Sequence, residues 1–289
     1  MRRDRILILG GDGVLGSALA AAFAARGIPV LATTRRPDRV GDDRPFFDLG
    51  RDSPDCLLPP GLRLAYLMAG NASVEACAKD PSGTRSLNVE AILKAASHLR
   101  RAGVRLVYPS TSRVFDGARP RMSAEDRTHP ISEYGRQRAE VEERLGQAGG
   151  AAILRLTKVL GPRWGLMEDW RDRLLGGQPL HPMRGATIAP VLLRHAVDAL
   201  MRADALDEGE IAQLSAPDDL AMSEVASLLA RHLGLANPGI HPQEPPLDPQ
   251  GLFPPYSSLD MGATARKIGM APLPPSRAIV QEWLETHLA

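Results

Sequence analysis

The chain has 289 residues, of which 44% are hydrophobic and 24% charged, an ordinary balance for a globular α/β protein with one large domain or a domain plus a smaller lobe. Its formal net charge of +1 excludes a strong overall attraction to nucleic acid or to an anionic membrane. No apolar run is long enough to span a membrane, and no signal peptide is evident, so we expect a cytoplasmic protein. Its two cysteines, Cys56 and Cys77, predict neither a disulfide framework nor a metal site.

The first predicted elements are a buried strand, a glycine turn and a helix. Residues 6–9 are an apolar run too short for a helix, which predicts a parallel strand buried on both faces. Three glycines follow at the spacing Gly-x-x-Gly-x-x-Gly, ahead of an Ala- and Leu-rich helix. Such a turn lets a pyrophosphate approach the backbone and the helix dipole, although a glycine turn can also be purely structural. The predicted cofactor contacts of this turn are Gly10, Asp12, Gly13, Val14, Leu15 and Gly16.

The end of the second predicted strand, residues 28–33, bears on which dinucleotide binds. An NAD-binding domain usually carries an acid here for the ribose 2′-hydroxyl, whereas arginine accommodates a 2′-phosphate. Thr34, Arg35 and Arg36 stand at this point, about twenty residues beyond the glycines. We therefore predict that NADP(H) is preferred over NAD(H); the alternative is a pair of solvated loop arginines.

Three further segments complete the predicted cofactor-binding half. Residues 46–49 predict a short strand, whose aspartate would accept from the adenine amino group or cap a turn. Residues 64–70 predict a buried strand that ends in small residues, as a backbone passing close to a cofactor requires. Residues 84–101 predict an amphipathic helix. The predicted cofactor contacts of these segments are Asp48, Leu49, Met68, Ala69 and Gly70.

A hydroxyl-rich segment and a helix are the candidates for chemistry. Residues 104–108 predict a strand that runs into the hydroxyl cluster 109–112, at the strand end where doubly wound sheets bind ligands. A helix is predicted from Glu133 onward. Tyr134 and Arg138 are four residues apart and therefore share one face of that helix. Taken alone, this pair would fit an exposed surface equally well.

The sequence pattern changes after a last clear strand at 151–156, which predicts a Rossmann domain over 1–160. Residues 161–289 predict mainly a substrate-binding lobe, with some segments returning to the core. Trp164 and Trp170 are expected to fill the lobe's core. Residues 236–256 are rich in proline and predict a long surface loop. The other elements predicted here are a strand at 211–214 and helices at 166–175, 191–203, 222–233, 259–269 and 275–288.

These segments, in this order and spacing, resemble the extended short-chain dehydrogenase/reductase family that acts on nucleotide sugars. The fold implied is α/β, a Rossmann-like doubly wound parallel sheet with a smaller C-terminal substrate lobe. The run Ser110-Thr111-x-x-Val114-Phe115-Asp116-Gly117 is similar, within that family, to the dTDP-4-dehydrorhamnose reductases. The site residues implied are Thr111, Tyr134, Arg138 and Asn88 for catalysis, with Tyr134 and Arg138 also at the cofactor, and Asn71, Ser112, Arg113 and Lys158 for the substrate.

The resemblance implies an NADPH-dependent oxidoreductase of carbohydrate biosynthesis that reduces a keto group on a nucleotide sugar. Tyr134 would be the general acid, and Thr111 would donate to the same oxygen. Arg138 stands where the family carries lysine, and arginine is not an equivalent replacement. The main alternative is therefore a non-catalytic NADP-binding regulatory or scaffold protein; a 4-epimerase is disfavoured by the absent acid after the second strand. A homodimer is left open, since helix pairing between such domains is a common dimer interface.

Overall fold

The computed structural model describes residues 5–147, 150–244 and 253–288. A parallel sheet of six strands lies at its centre, in the order β2-β1-β3-β4-β5-β9. The strands are β1 (Arg5–Leu9), β2 (Val30–Ala32), β3 (Leu62–Leu67), β4 (Arg105–Thr111), β5 (Ala152–Leu156), β6 (Lys158–Leu160), β7 (Thr187–Ile188), β8 (Pro190–Leu192), β9 (Ile211–Leu214) and β10 (Leu220–Ala221). The chain leaves β1 toward β2 on one side and returns to β3 on the other, so the strand order reverses at β1, and ligands of doubly wound sheets bind at such a point.

Helices cover both faces of this sheet. They are α1 (Val14–Ala25), α2 (Val74–Lys79), α3 (Pro81–Arg85), α4 (Ile92–Arg101), α5 (Glu133–Gln147), α6 (Gly165–Leu175), α7 (Leu193–Arg202), α8 (Met222–His232), α9 (Gly262–Ile268) and α10 (Ser276–His287). A π-helical turn, Ser86–Ala91, joins α3 to α4. The helix predicted at 84–101 therefore begins earlier, at a proline, and contains a π turn. Among the described residues, no helix has both the length and the apolar character needed to cross a bilayer.

Alternate residues of β1 show why the sheet is covered on both sides. Ile6 and Ile8 pack into the cluster that contains apolar residues of α1 and α7. Leu7 and Leu9 point the other way and pack with residues of α4 and α5. Each of these side chains is at most 1% exposed, and full burial of one such side chain contributes about 1.5–3 kcal/mol. The doubly wound α/β fold predicted from the sequence is thereby confirmed.

The second half of the chain contributes both to this sheet and to a separate apolar cluster. β9 extends the main sheet, and α7 packs on α1. α6, α8 and α10 form the other cluster, beside the two-stranded pairs β6–β8 and β7–β10. Trp164 and Trp170 are buried in this cluster, as predicted, and Trp164 meets Trp283 edge to face with ring centroids 5.5 Å apart.

Several predicted elements differ from the observed ones. Residues 46–49 form no strand: only Phe46 bridges to Thr34, and the chain then turns. The helix predicted at 191–203 begins at Leu193, because residues 190–192 pair with β6 as β8. Of the proline-rich stretch 236–256, residues 236–244 and 253–256 contain no helix or strand and are not buried, while residues 245–252 lie outside the described residues.

Candidate active site

The turn between β1 and α1 requires glycine at two positions. Gly10 has a φ of 100°, and a Cβ there would lie 2.8 Å from the backbone nitrogen of Ala69. A Cβ on Gly16 would collide with the carbonyl oxygen of Gly10. Gly13 is exposed, and no side chain caps the helix that follows it. The first amides of α1 are therefore available to an anion such as a pyrophosphate.

Asp12 joins this turn to the end of β2. Its carboxylate accepts hydrogen bonds from Thr34 Oγ1 at 2.8 Å, the Arg35 amide at 3.0 Å and Arg44 Nη2 at 2.8 Å. Partial burial alone would raise the pKa of Asp12, but these donors outweigh it and lower the pKa to about 2. The carboxylate thus holds the Thr34–Arg36 segment in place.

A first cavity of about 350 Å³ opens beside the glycine turn, at the carboxyl ends of β1, β2 and β3. The exposed residues Arg35 and Arg36 are among those that line it. Asp48 lines the cavity, and its carboxylate also accepts a hydrogen bond from the Gly50 amide at 3.0 Å. Its side chain is therefore placed for both predicted roles, the cofactor contact and the cap of a turn. The predicted cofactor residues that this cavity brings together are Gly10, Asp12, Gly13, Thr34, Arg35, Arg36, Asp48, Leu49, Met68, Ala69 and Gly70.

A second cavity of about 330 Å³ adjoins the first and shares Gly10, Gly13, Met68 and Gly70 with it. The two therefore make one long cleft across the point where the strand order reverses. The second cavity adds the predicted residues Val14, Leu15, Gly16, Thr111, Tyr134 and Arg138. The glycine turn between β1 and α1 and the candidate catalytic residues thus line one continuous cleft.

The start of α5 places Tyr134 in this cleft. Ser132 begins the helix by accepting a hydrogen bond from the Gly135 amide at 3.1 Å. Gly135 packs so closely on the turn after β4 that a Cβ there would collide with the carbonyl oxygen of Arg113. This contact brings α5 against the end of the strand that carries Thr111.

Arg138, one turn further along α5, is only 7% exposed. Its Nη1 donates to the Tyr108 hydroxyl at 2.9 Å, and its Cζ lies 5.6 Å and 5.1 Å from the ring centroids of Tyr108 and Tyr134. Burial acts to lower the pKa of Arg138, yet the two phenols outweigh it and hold that pKa above the ordinary value. Across the described residues, no carboxylate lies within ion-pair distance of this guanidinium. Arg138 is thus a buried cation with no ion-pair partner among the residues that the structure describes.

Asn88 lies in the π turn and connects three elements. Its Oδ1 accepts from the Asn71 amide at 2.7 Å, and its Nδ2 donates to the Asn71 carbonyl at 2.9 Å and to Gln137 Oε1 at 2.8 Å. Gln137 precedes Arg138 on α5. π turns are often found at functional sites, and this one aims a fully buried amide at the helix that bears Tyr134.

The residues predicted for the substrate, Asn71, Ser112, Arg113 and Lys158, line neither cavity, although Asn71, Ser112 and Lys158 are each next in sequence to a residue that does. Thr111 Oγ1 accepts from the Arg113 amide at 3.2 Å, and Ser112 begins the same 3-10 turn. Lys158 is exposed, and its Nζ lies 5.9 Å from the ring centroid of Trp164. Partial desolvation and the Arg113 guanidinium lower the pKa of Lys158. The Asn71 side chain instead accepts from the Ser73 amide at 3.0 Å, next to the cavity-lining Ala72.

Two polar atoms in the second cavity favour a ligand there. The Ser110 hydroxyl and the Arg138 Nε are buried and have no hydrogen-bond partner within the protein. Buried polar groups are normally satisfied, so such atoms indicate a missing partner. Together with the glycine cradle, they fit a dinucleotide. Two residues of the site were not predicted from the sequence: Tyr108, which accepts a hydrogen bond from Arg138, and Arg44, which donates one to Asp12. The unusual arginine at position 138 was the one signal that could have pointed to Tyr108.

The sheet order, the glycine turn and the cleft at the reversal point define a protein of the Rossmann class. More narrowly, the chain belongs to the RmlD substrate binding domain family, whose model matches residues 4–287. This match confirms the family that the sequence motifs predict.

Known proteins similar to this chain include reductases and a subunit of a methionine adenosyltransferase. It is 32% identical over 172 residues to a dTDP-4-dehydrorhamnose reductase of Sinorhizobium fredii, covering 56% of this chain and 52% of that one. It is 34% identical over 82 residues to methionine adenosyltransferase 2 subunit beta of Bos taurus, covering 28% and 25%. The chain thus spans about half the length of the curated reductases it matches, or less.

Solved structures share the fold. MoeE5 in complex with UDP-glucose and NAD superposes with a TM-score of 0.83 at 22% identity, over 99% of this chain and 100% of that one. At this identity the likeness supports the fold alone.

Proposed function

We propose that the protein is an NADP(H)-dependent reductase of a keto group on a nucleotide sugar. The observation that carries this proposal is the placement of Thr111, Tyr134 and Arg138 around one cavity that continues into the glycine cradle. The similarity to a dTDP-4-dehydrorhamnose reductase supports the reaction class and the sugar-nucleotide substrate. Arg35 and Arg36, which line the first cavity, support the 2′-phosphorylated cofactor.

In this proposal the protein supplies a proton and fixed charge to the reaction. A reduced nicotinamide, when bound, supplies the hydride. Tyr134 then gives its phenolic proton to the oxygen that becomes the alcohol, and the Thr111 hydroxyl donates a hydrogen bond to the same oxygen. Arg138 stabilises the resulting phenolate, because its uncancelled charge lies against the Tyr134 ring. Arg138 keeps its proton throughout, since a guanidinium does not act as a proton relay.

Lys158 and Arg113 serve the substrate in this proposal. Both are cations close in sequence to cleft-lining residues, and desolvation together with repulsion by the Arg113 guanidinium lowers the pKa of Lys158. An anionic substrate, such as the diphosphate of a nucleotide sugar, would relieve this repulsion. Lys158→Ala should therefore raise KM for the keto sugar and leave the affinity for NADPH unchanged.

The test is turnover of dTDP-4-keto-6-deoxy sugars, followed by loss of NADPH absorbance. Tyr134→Phe should abolish turnover and preserve NADPH binding, because it removes only the proton donor. Arg138→Lys should keep NADPH binding and retain or raise turnover, since lysine supplies the same charge. The reductase proposal would be contradicted if the wild type binds NADPH but neither the wild type nor Arg138→Lys reduces any keto sugar.

A second candidate is a non-catalytic NADP(H)-binding regulatory subunit. The similarity to methionine adenosyltransferase 2 subunit beta and the arginine at position 138 favour it. This candidate predicts that NADPH binds with equal affinity to the wild type and to Tyr134→Phe, that no keto sugar is reduced, and that a partner protein co-purifies. The turnover assay above therefore separates the two candidates.

A further inference from the structure

A buried tyrosine outside the recognised catalytic set contacts the cation of the cleft. Tyr108 lies on β4, three residues before Thr111, and is fully buried in the cluster beneath the sheet. Its hydroxyl accepts the Nη1 hydrogen bond of Arg138 at 2.9 Å. We propose that Tyr108 is a positioning residue, which determines how the Arg138 guanidinium is presented to the cofactor and to Tyr134. This inference rests on the proposed function, in which Arg138 serves both.

The two terminal nitrogens of the Arg138 guanidinium lie on different sides, one against the core and one toward the cleft. Nη1 is committed to the Tyr108 hydroxyl. Nη2 lies on the side of Gly70, since a Cβ built on Gly70 would be 3.8 Å from it. Gly70 lines both cavities, with a φ of 138° that favours glycine. The arm that does not contact Tyr108 therefore lies beside Gly70, at the junction of the two cavities.

It also matters that the group that accepts the Arg138 hydrogen bond is a phenol and not a carboxylate. A carboxylate at this place would orient Arg138 and would also cancel its charge. Tyr108 stays a neutral phenol, because burial raises its pKa to about 12 even though Arg138 acts in the opposite direction. It therefore fixes the guanidinium and leaves the positive charge available to the Tyr134 ring on the other side. A planar arginine fork, unlike lysine, has a spare arm for such an anchor.

The test compares two variants that each remove one buried phenolic hydroxyl. Tyr108→Phe keeps the ring and its packing. Tyr66→Phe is the matched control: Tyr66 is equally buried, on β3, and its hydroxyl donates to the Leu200 carbonyl at 3.0 Å, away from the cleft. We expect Tyr108→Phe to weaken NADPH binding about tenfold, the effect of losing one hydrogen bond to a charged group. Tyr66→Phe should leave NADPH binding unchanged.

A double-mutant cycle shows whether Tyr108 acts through Arg138. In an Arg138→Met background, adding Tyr108→Phe should leave NADPH affinity unchanged, since the anchored group is gone. A further loss of affinity there would overturn the inference, as would wild-type NADPH affinity in Tyr108→Phe.

The contact between Tyr108 and Arg138 can also be tested in the protein without cofactor, independently of any reductase activity. In arginine-labelled apo protein, NMR should show slow rotation of the Arg138 guanidinium in the wild type and in Tyr66→Phe, and fast averaging in Tyr108→Phe. Unchanged Arg138 signals in Tyr108→Phe would overturn the positioning role whatever the activity. Loss of slow rotation with no keto-sugar turnover by the wild type would support Tyr108 as the anchor and contradict only the reductase.

Discussion

The Asp12 carboxylate accepts a hydrogen bond from the Arg44 guanidinium at 2.8 Å, so the glycine turn is tied to a loop more than thirty residues further along the chain. Arg44 also donates to the Gly11 carbonyl at 3.2 Å. The same carboxylate holds the amide of Arg35. The glycine turn and the arginine loop, which both line the first cavity, are therefore held against each other by this carboxylate.

Asp12→Asn should lower stability in a pH-dependent way. The pKa of Asp12 falls from the ordinary 3.8 to about 2 in the folded protein, so its contribution is present above pH 3.8 and is lost as the pH falls toward 2. With solvent screening, we expect a loss of about 1–2 kcal/mol at neutral pH. Urea unfolding at several pH values should show wild type and variant converging on acidification.

The control for this measurement is Asp42→Asn, at an exposed position of the neighbouring loop. It should track the wild type at every pH. A constant difference between Asp12→Asn and the wild type from neutral pH down to the acid transition would show that the Arg44 contact does not depend on the carboxylate charge.

Two glycines of the same turn should respond differently to alanine. Gly16→Ala places a methyl group against the Gly10 carbonyl and should destabilise the fold, because backbone on both sides must move. In Gly13→Ala the methyl group has its nearest neighbour, the Gly10 carbonyl oxygen, at 3.5 Å and otherwise enters the cleft. Gly13→Ala should therefore keep the wild-type melting temperature and lose NADPH affinity. Equal melting temperatures for the two variants would contradict this account of the turn.

The parts of the fold that rest on local pattern could be predicted from the sequence. The apolar run of β1 and the glycine spacing depend on neighbours within one turn or strand, and both lie where expected. The strand predicted at 46–49 failed because its pattern ignores the Asp48 carboxylate, which accepts the Gly50 amide and turns the chain. The helix predicted at 84–101 begins earlier in the structure, at Pro81. Proline is favoured in the first turn of a helix, and a prediction that starts from the apolar pattern after residue 84 does not use this signal.

The parts of the site that depend on distant partners could not be predicted. The Tyr108 anchor for Arg138 spans 30 residues and joins a strand to a helix, so no spacing rule connects them. The four-residue spacing of Tyr134 and Arg138 did predict a shared helical face. It did not predict that this face is buried, since the pair would be equally compatible with solvent.

Glu142→Gln should be far more damaging than a comparable change at the surface. Glu142 and Arg155 form an ion pair at 2.7 Å with side chains 4% and 3% exposed, and the guanidinium also lies over the Phe115 ring. Removing one charge leaves the other buried and unpaired, which costs about 3–5 kcal/mol. Asp198→Asn, which breaks an exposed pair with Arg202, should cost less than about 1 kcal/mol. Chemical denaturation of both variants measures the contrast, and equal losses would refute it.

Replacing both Arg35 and Arg36 with alanine should change cofactor choice without changing the fold. The two residues are exposed and line the first cavity, so their truncation leaves no hole in the core. If they bind the 2′-phosphate, each charged hydrogen bond lost should weaken NADP(H) binding by about 1.5–3 kcal/mol, roughly 10- to 100-fold per bond, while NAD(H) affinity stays the same. Calorimetry with both cofactors gives the two affinities. Arg39→Ala, on the exposed turn that follows, is the matched control and should alter neither. Equal NADP(H) and NAD(H) affinities in the wild type would show instead that these arginines are solvated loop residues.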